Sequence, residues 1–337
     1  MKAAVFRGKG KIAIENVPKP HIGEDEILLK IRAVGICGTD LHIYHGGTDV
    51  KPGTIIGHEF SGEVAAVGKH VRGWRVGEHA IAEHNVSCAK CYFCLRGKYN
   101  LCVKRSVIGL HRPGAFAEYL AIPADLVYRI PRSMPYDVAA LVEPLTIALY
   151  AAANSGFLLE QKVAVIGQGP IGILLDQVLK AAGARVIGID VLNHRLAFAK
   201  KKGWADTALN SRSRTFQQQF DRLAPLGVDV SFEAVGRAET VDLGLEITRQ
   251  DGIIHVLGVF EAPATLNMMK LVKKELMLNG SWTCAFSFPA AIDLVHEGKV
   301  DLTSLITHRY PFQDVVKAFE DSAAYKGNRM KTVVTIP

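Results

Sequence analysis

Cys37, His58 and Glu59 offer a thiol, an imidazole and a carboxylate. Gly57-His58-Glu59 begins the run G-H-E-x2-G-x5-G-x2-V, which passes Gly62 and Gly68 and ends at Val71; Cys37 lies 21 positions before His58. These are the ligand types of a zinc ion that keeps one coordination position open for chemistry, whereas a structural site is closed by four cysteines or a cysteine/histidine mixture. A Lewis acid with an open position acts on an alcohol, a carbonyl or a water.

A second cysteine set has the other character. Cys88, Cys91, Cys94 and Cys102 form C-x2-C-x2-C-x7-C. Two-residue gaps let a tight loop aim successive sulfurs at one centre, and the longer loop returns the fourth, closing a tetrahedral structural zinc site. The competing reading is an iron–sulfur cluster. The bacterial ferredoxin run has three residues before its last cysteine and a proline after it; here there are seven, followed by Val103. Cys284 stands outside both sets and reads as a buried or pocket-wall residue. His79, His84, His111 and His308 have no supporting motif and read as structural or exposed.

The reaction is narrowed by Gly167-Gln168-Gly169-Pro170-Ile171-Gly172. This loop follows the apolar run Lys162–Ile166, read as a buried parallel strand, and leads into a helical pattern. Gly167 and Gly169 allow a tight turn and close approach to a pyrophosphate, Gly172 allows helix–strand packing, and the helix N-terminus faces the anion, with Pro170 and Ile171 of the same loop also expected at the cofactor. A second strand, Arg185–Ile189, ends in Asp190, 23 residues past Gly167, near the spacing at which a carboxylate grips a ribose hydroxyl. Arg195 either edges the adenosine pocket or is a solvent-facing helix arginine.

Two kinds of element must position these groups. Residues 1 to about 145 read as short strands between Gly, Pro and charged turns, a mostly β unit. From about 148 to 284 strands at 163–166, 185–189, 228–232, 253–257 and 276–279 alternate with helices at 171–182, 194–202, 239–248 and 268–273, which predicts an α/β, doubly wound parallel sheet. Two more helices, over 289–297 and 313–320, precede a closing strand, 331–336, suited to return to the first unit.

The 337 residues, 49% hydrophobic and 22% charged, suit a globular enzyme of two domains. The net charge of +7 is dispersed, its longest basic run being Lys200–Lys202, so no nucleic-acid partner is expected. No apolar stretch is expected to cross a membrane, and the N-terminus reads as a strand rather than a signal peptide, so a cytoplasmic, reducing setting is expected.

The stretch Gly57–Val71 and the four-cysteine lobe resemble those of the zinc-dependent medium-chain dehydrogenase/reductase family over essentially the whole chain, nearest its sorbitol, galactitol-phosphate and threonine dehydrogenase branch. The resemblance implies a GroES-like catalytic domain over 1–147 with a structural zinc lobe near 84–106, a Rossmann dinucleotide-binding domain over 148–284, and a segment, 285–337, completing the catalytic domain, with the active site in the cleft between the two. It implies one catalytic and one structural zinc, NAD, and a homodimer or homotetramer. Cys37 and His58 match the catalytic ligands. Glu59 is a ligand in the polyol branch, and Glu143 matches a carboxylate that approaches the metal directly or through water. Thr39 sits where the family takes the alcohol proton, His42 where it passes outward, and Asp40 where a carboxylate orients the ligand histidine.

The implied reaction is reversible oxidation of a secondary alcohol, in a polyol, cyclitol or sugar phosphate, to its ketone. Lys274-Glu275-Leu276 with Gly280-Ser281-Trp282 resembles the sorbitol, butanediol and galactitol-phosphate dehydrogenases. His111–Gly114 with Phe116–Tyr119 resembles threonine dehydrogenase, the alternative. Thr283 and Cys284 stand where sorbitol dehydrogenases often carry an Arg-Tyr pair, which argues against sorbitol itself. From another class, a retired enzyme that only binds dinucleotide is the remaining alternative, disfavoured because metal ligands and relay residues occur together.

Overall fold

The computed structural model describes residues 1–48, 50–325 and 327–337. Contacts divide the chain into two units. The first holds Met1–Glu143, Phe288–His296 and Asp301–Pro337; the second holds Pro144–Ser287 and Glu297–Val300.

In the first unit, strands β1 (Lys2–Gly8) and β2 (Lys11–Asn16) form a hairpin. The long strand β3 (Glu26–Ile36) is followed by helix α1 (Gly38–Tyr44), then β4 (Glu59–Val67) and β5 (His79–Ala82). The short pair β6 (Asn85–Val86) and β7 (Ser106–Val107) brackets the four-cysteine segment. β8 (Tyr119–Pro123), β9 (Val127–Arg129), helix α2 (Tyr136–Ala139) and the start of α3 (Val142–Asn154) follow. One face of β3 is buried along its length, because Ile27, Leu29, Ile31 and Ala33 alternate inward as a pleated strand requires. β4 lies along one edge of β3, β8 along the first half of the other edge. The core is apolar and aromatic, with Phe116 and Phe319 edge to face, ring centroids 5.2 Å apart.

The second unit is a six-stranded, all-parallel sheet: β10 (Lys162–Ile166), β11 (Arg185–Asp190), β12 (Thr207–Asn210), β13 (Val228–Glu233), β14 (Thr248–Val256) and β15 (Met277–Gly280), in the order β12-β11-β10-β13-β14-β15. The order reverses beside β10, which creates the crevice at strand C-termini where ligands of such sheets bind. The central strands β10, β11 and β13 are buried on both faces and so read as apolar runs. Among the elements that escape the sequence pattern are α3, β12 and the helix Phe216–Leu223. That helix buries Phe216 and Phe220 and packs Leu223 beside them, at i, i+4 and i+7, so its period is helical but spans only eight residues.

Back in the first unit, β16 (Ile306–Pro311) and β17 (Lys331–Thr335) complete the seven-stranded sheet, order β16-β17-β3-β4-β5-β9, with β8 also on β3. β17 runs antiparallel to the second half of β3, Thr332 opposite Ile36.

The expectation about apolar stretches is corrected. Tyr136–Asn154, 19 residues, is long and apolar enough to cross a membrane by length and composition. Its apolar window is 61% buried inside the protein, and Val138, Leu141, Val142 and Leu145 are among its core residues. That burial makes it a core helix, whose apolar side chains are covered by protein rather than by lipid.

Candidate active site

Neighbouring strand ends assemble the open metal site. In the β3–β4 ladder Gly35 lies opposite Glu59, so the residues just past the end of β3 and just before the start of β4, Cys37 and His58, come side by side. One ligand atom each from Cys37, His58 and Glu59 lies within 4.8 Å of the others. On the other edge of β3, Lys331 starts β17 and reaches across, its Nζ donating to Glu59 Oε1 (2.5 Å) and to the Ile36 carbonyl (3.2 Å). Glycine is required at 35: a Cβ there would stand 2.2 Å from Glu59 Oε2.

Around this set the polar side chains are buried. Asp40 is fully buried and accepts the Cys37 backbone N–H (2.9 Å), while its Oδ1 faces His58 Nδ1 at 3.6 Å. A carboxylate against Nδ1 leaves the other ring nitrogen for a metal. Burial disfavours the Lys331 ammonium, but Glu59 and Cys37 outweigh it and raise its pKa. Burial also pushes the Glu59 carboxyl up, against the pull of Lys331. His58 Nδ1, Asp40 Oδ1 and Glu59 Oε2 are buried without a hydrogen-bond partner in the protein. A thiolate, an imidazole and a carboxylate so placed, with Glu59 Oε2 buried and unsatisfied among them, fit a zinc ion.

Glu143, at the start of α3, lies outside this three-residue set. Its Oε1 meets His84 Nδ1 at 3.0 Å, and both side chains are about 6% exposed. The His84 ring centroid is 5.5 Å from that of His58. Sequence reasoning passed over both His84 and Lys331. His84 has no motif, although it stands two residues past the end of β5, the strand beside the one that presents Glu59. Lys331 announces itself only as a charge inside an otherwise apolar strand pattern. Thr39 and His42 lie three apart in α1, hence on one face, both half-buried. His79 packs on Tyr136, and His111 Nδ1 accepts the Val107 N–H. His308 approaches Thr307.

The four cysteines close on one another. A sulfur from each of Cys88, Cys91, Cys94 and Cys102 lies within 4.8 Å of the rest. Cys102 Sγ accepts the N–H groups of Cys88 and Lys104, both at 3.3 Å. The Cys91 thiol is brought down to about 6, first by the Cys94 N–H and then by that of Val103, while burial holds Cys94 up at about 11. N–H groups aimed at sulfur are what thiolate ligands need, so the lobe fits a closed zinc site.

In the second unit the glycine loop has the geometry a pyrophosphate needs. Gly167 has φ +101°, and a Cβ on Gly172 would stand 1.7 Å from the Gly167 carbonyl oxygen. Pro170 and Ile171 open helix α4 (Pro170–Ala181) with Gly169 as its N-cap. Asp190 is more committed than its spacing suggests. It is 8% exposed, its Oδ2 accepts the Gln168 N–H (2.7 Å), and its Oδ1 accepts those of Val191 (2.7 Å) and Leu192 (2.8 Å). It therefore stitches the loop to the end of β11. Arg195 lies over the loop, its Nη1 3.8 Å from Asp190 Oδ2, with its Nε buried, rather than pointing out to solvent.

Two family descriptions match this chain: an alcohol dehydrogenase GroES-like domain over residues 23–132 and a zinc-binding dehydrogenase over 170–297. The chain belongs to the zinc-dependent medium-chain dehydrogenase/reductase family. Its units are the GroES-like and Rossmann-type folds of that family, and the protein is an oxidoreductase of the zinc-type alcohol and polyol dehydrogenases, working with zinc and a nicotinamide dinucleotide. It is 35% identical to sorbitol dehydrogenase of Bacillus subtilis, over 99% of this chain and 97% of the relative. It is also 35% identical to L-threonine 3-dehydrogenase of Bacillus velezensis, over 91% of each. An Escherichia coli alcohol dehydrogenase solved with NADH superimposes with TM-score 0.93 at 31% identity, over 99% of each chain. A protein of Sinorhizobium meliloti described as a zinc-binding dehydrogenase and bound to NADP gives 0.92 at 31%, over 99% of this chain and 98% of that one.

Proposed function

We propose that the protein oxidises a secondary alcohol of a polyol, cyclitol or sugar phosphate to the ketone, reversibly, with NAD preferred over NADP. The observation that carries this reading is the open set Cys37, His58 and Glu59, its imidazole and carboxylate buried and its thiol half-buried, with Thr39 and His42 on the helix that starts beside it. Zinc at this site supplies a Lewis acid that lowers the pKa of an alcohol, and NAD supplies the hydride acceptor. Cys37 and His58 would hold the metal, Glu59 offers its second oxygen, and Glu143, held by His84 at one oxygen, stands beside this set. Asp40 fixes the His58 ring. Lys331 balances the negative charge of Glu59 and Cys37, so that the site is not left with an excess of buried anion. Thr39 Oγ1 accepts the alcohol proton as its own hydroxyl proton moves on towards His42, which releases one to solvent. In the second unit, the loop Gly167–Gly172 binds the pyrophosphate, and the Asp190 carboxylate beside the ribose position favours a free hydroxyl over a phosphate.

The first unit serves as the catalytic domain and the second as the dinucleotide domain. A homodimer or homotetramer is supported by the second unit's edge strand β15 and the helix Met268–Lys273 before it, where Met268, Met269, Val272 and Met277 are each more than half exposed. An apolar sheet edge is self-complementary and calls for cover, and a second copy of this chain is the cover we assign. A cytoplasmic setting fits the free thiols of both cysteine sets.

The test is a panel of polyols, cyclitols, sugar phosphates and threonine with NAD and with NADP, following the reduced cofactor. Turnover of a polyol-type alcohol with NAD is expected. Turnover of threonine alone would shift the assignment to the amino-alcohol branch. Dinucleotide binding with no turnover would mark a retired enzyme.

A further inference from the structure

The four-cysteine lobe is tied to the open metal site at both of its ends. The chain enters it through Glu83, His84 and Asn85, which are 1%, 4% and 0% exposed. Glu83 and Asn85 face the lobe: Tyr99, between Cys94 and Cys102, donates its hydroxyl to Glu83 Oε2 (2.8 Å), and Arg105 Nη1 donates to Asn85 Oδ1 (2.8 Å). His84, between them, faces the other way, onto Glu143 and beside His58. The chain leaves the lobe through β7, which pairs with β6; just beyond, the Ile108 N–H donates to the His84 carbonyl (3.0 Å). Gly109 then presses against the backbone of Gly57, the residue before His58, so closely that a Cβ would stand 2.6 Å from the Gly57 carbonyl oxygen.

We propose that the segment Glu83–Asn85 couples the four-cysteine lobe to the catalytic site, with Tyr99, Glu83 and Arg105 as positioning residues that hold His84 against Glu143 beside the ligand His58. A closed metal centre fixes the loop that carries Tyr99 and Arg105. Those two side chains grip Glu83 and Asn85. The grip leaves His84 no freedom to turn from Glu143, because its two neighbours are clamped on the opposite side. A structural metal thereby acts on the reaction it never touches. The same linkage makes the lobe a point at which metal loss lowers activity without altering any residue at the open site. The inference rests on the open site holding the catalytic zinc.

The test uses the full-length, zinc-loaded protein and its Tyr99→Phe, Arg105→Met, Glu83→Ala and Glu83→Gln variants, none of which removes a cysteine or an open-site ligand. Zinc release to a competing chelator is followed with a metal-sensitive dye, alongside kcat and KM. Tyr310→Phe is the control, since it deletes a hydroxyl of the same kind, donated to Asp321 Oδ2 at 2.9 Å, elsewhere in the first unit. Tyr99→Phe and Arg105→Met are each expected to speed release of the first zinc and lower kcat roughly fivefold, the factor equivalent to one net hydrogen bond. The second zinc and the KM for NAD should hold steady. Glu83→Gln, which keeps an oxygen for the Tyr99 hydroxyl, should lie nearer the unmodified protein than Glu83→Ala. Unchanged release in both Tyr99→Phe and Arg105→Met, or equal acceleration in Tyr310→Phe, overturns the coupling. If the unmodified protein holds only one zinc, the open-site assignment itself fails instead.

Discussion

Replacing Lys331 by methionine keeps the length of the side chain and removes its charge. Lys331 is 5% exposed and its partner Glu59 1%. The substitution strands a buried carboxylate that also has the Glu143 and Cys37 anions near it, and it frees the Ile36 carbonyl from its second donor. Deleting one member of a buried ion pair costs about 3–5 kcal/mol. At about 2–4 °C per kcal/mol for a unit of this size, the melting temperature of the zinc-loaded protein should fall by roughly 10 °C. Removing the cation also raises the folded-state pKa of Glu59. A carboxyl raised in the folded state weakens the fold as pH climbs from its unfolded to its folded pKa, so the loss should grow across that climb and shrink as acid protonates Glu59. The assay is denaturant unfolding of the zinc-loaded Lys331→Met, Glu59→Gln and double variants across pH. The double variant should recover a large part of the loss, because the stranded charge is gone. A single-variant cost below about 1 kcal/mol, or strict additivity in the double variant, would refute the view that these two charges hold one another.

Thr39→Val should keep its zinc but lose about 10²–10⁴-fold in kcat, as expected when a proton acceptor is removed; steady-state kinetics with metal analysis decides it, and an unchanged rate rules the hydroxyl out. Asp190→Ser should lower kcat/KM for NAD and narrow the gap to NADP, since it removes a like charge from the phosphate position and also unpins the Gln168 N–H; a higher kcat/KM with NADP in the unmodified protein would contradict the assignment. Asp176 is fully buried in α4, where burial holds its carboxyl well above the usual range despite Gln168 nearby. A group raised in this way weakens the fold increasingly as pH climbs from its unfolded to its folded pKa, so Asp176→Asn should gain melting temperature over the parent across that climb; parallel pH profiles would show that the carboxyl carries no such penalty.

The chemistry legible in the sequence was chemistry written locally. The four cysteines lie within fifteen residues, and the glycine loop carries its own strand and helix, so spacing alone marks both. Cys37 and His58 were legible because each sits in its own short motif. What escaped depends on the sheet. Lys331 meets Glu59 across 272 positions of chain, through a strand order no local pattern states. His84 becomes part of the site only because β5 lies beside β4. Glu143 was found by motif, but its partner was not, and the pairing decides which of its oxygens is committed. Asp190 was placed correctly at a strand end; the three backbone N–H groups it accepts are set by the loop's fold rather than by residue type. β12 offers only four residues, too few for a strand pattern, whereas the helix Phe216–Leu223 does carry a helical spacing, Phe216, Phe220 and Leu223, within eight otherwise polar residues that read as a loop.

The central claim is that the protein is an alcohol dehydrogenase whose chemistry occurs at the Cys37–His58 site while the four-cysteine lobe holds a separate, structural zinc. The most direct measurement is zinc content together with NAD reduction in Cys37→Ser, beside the unmodified protein. We predict two zinc ions per chain in the parent and one in Cys37→Ser, which stays folded and produces no reduced cofactor with any alcohol the parent oxidises. Cys37→Ser protein that keeps both zinc ions and its turnover, or a parent whose metal is iron, would contradict the account.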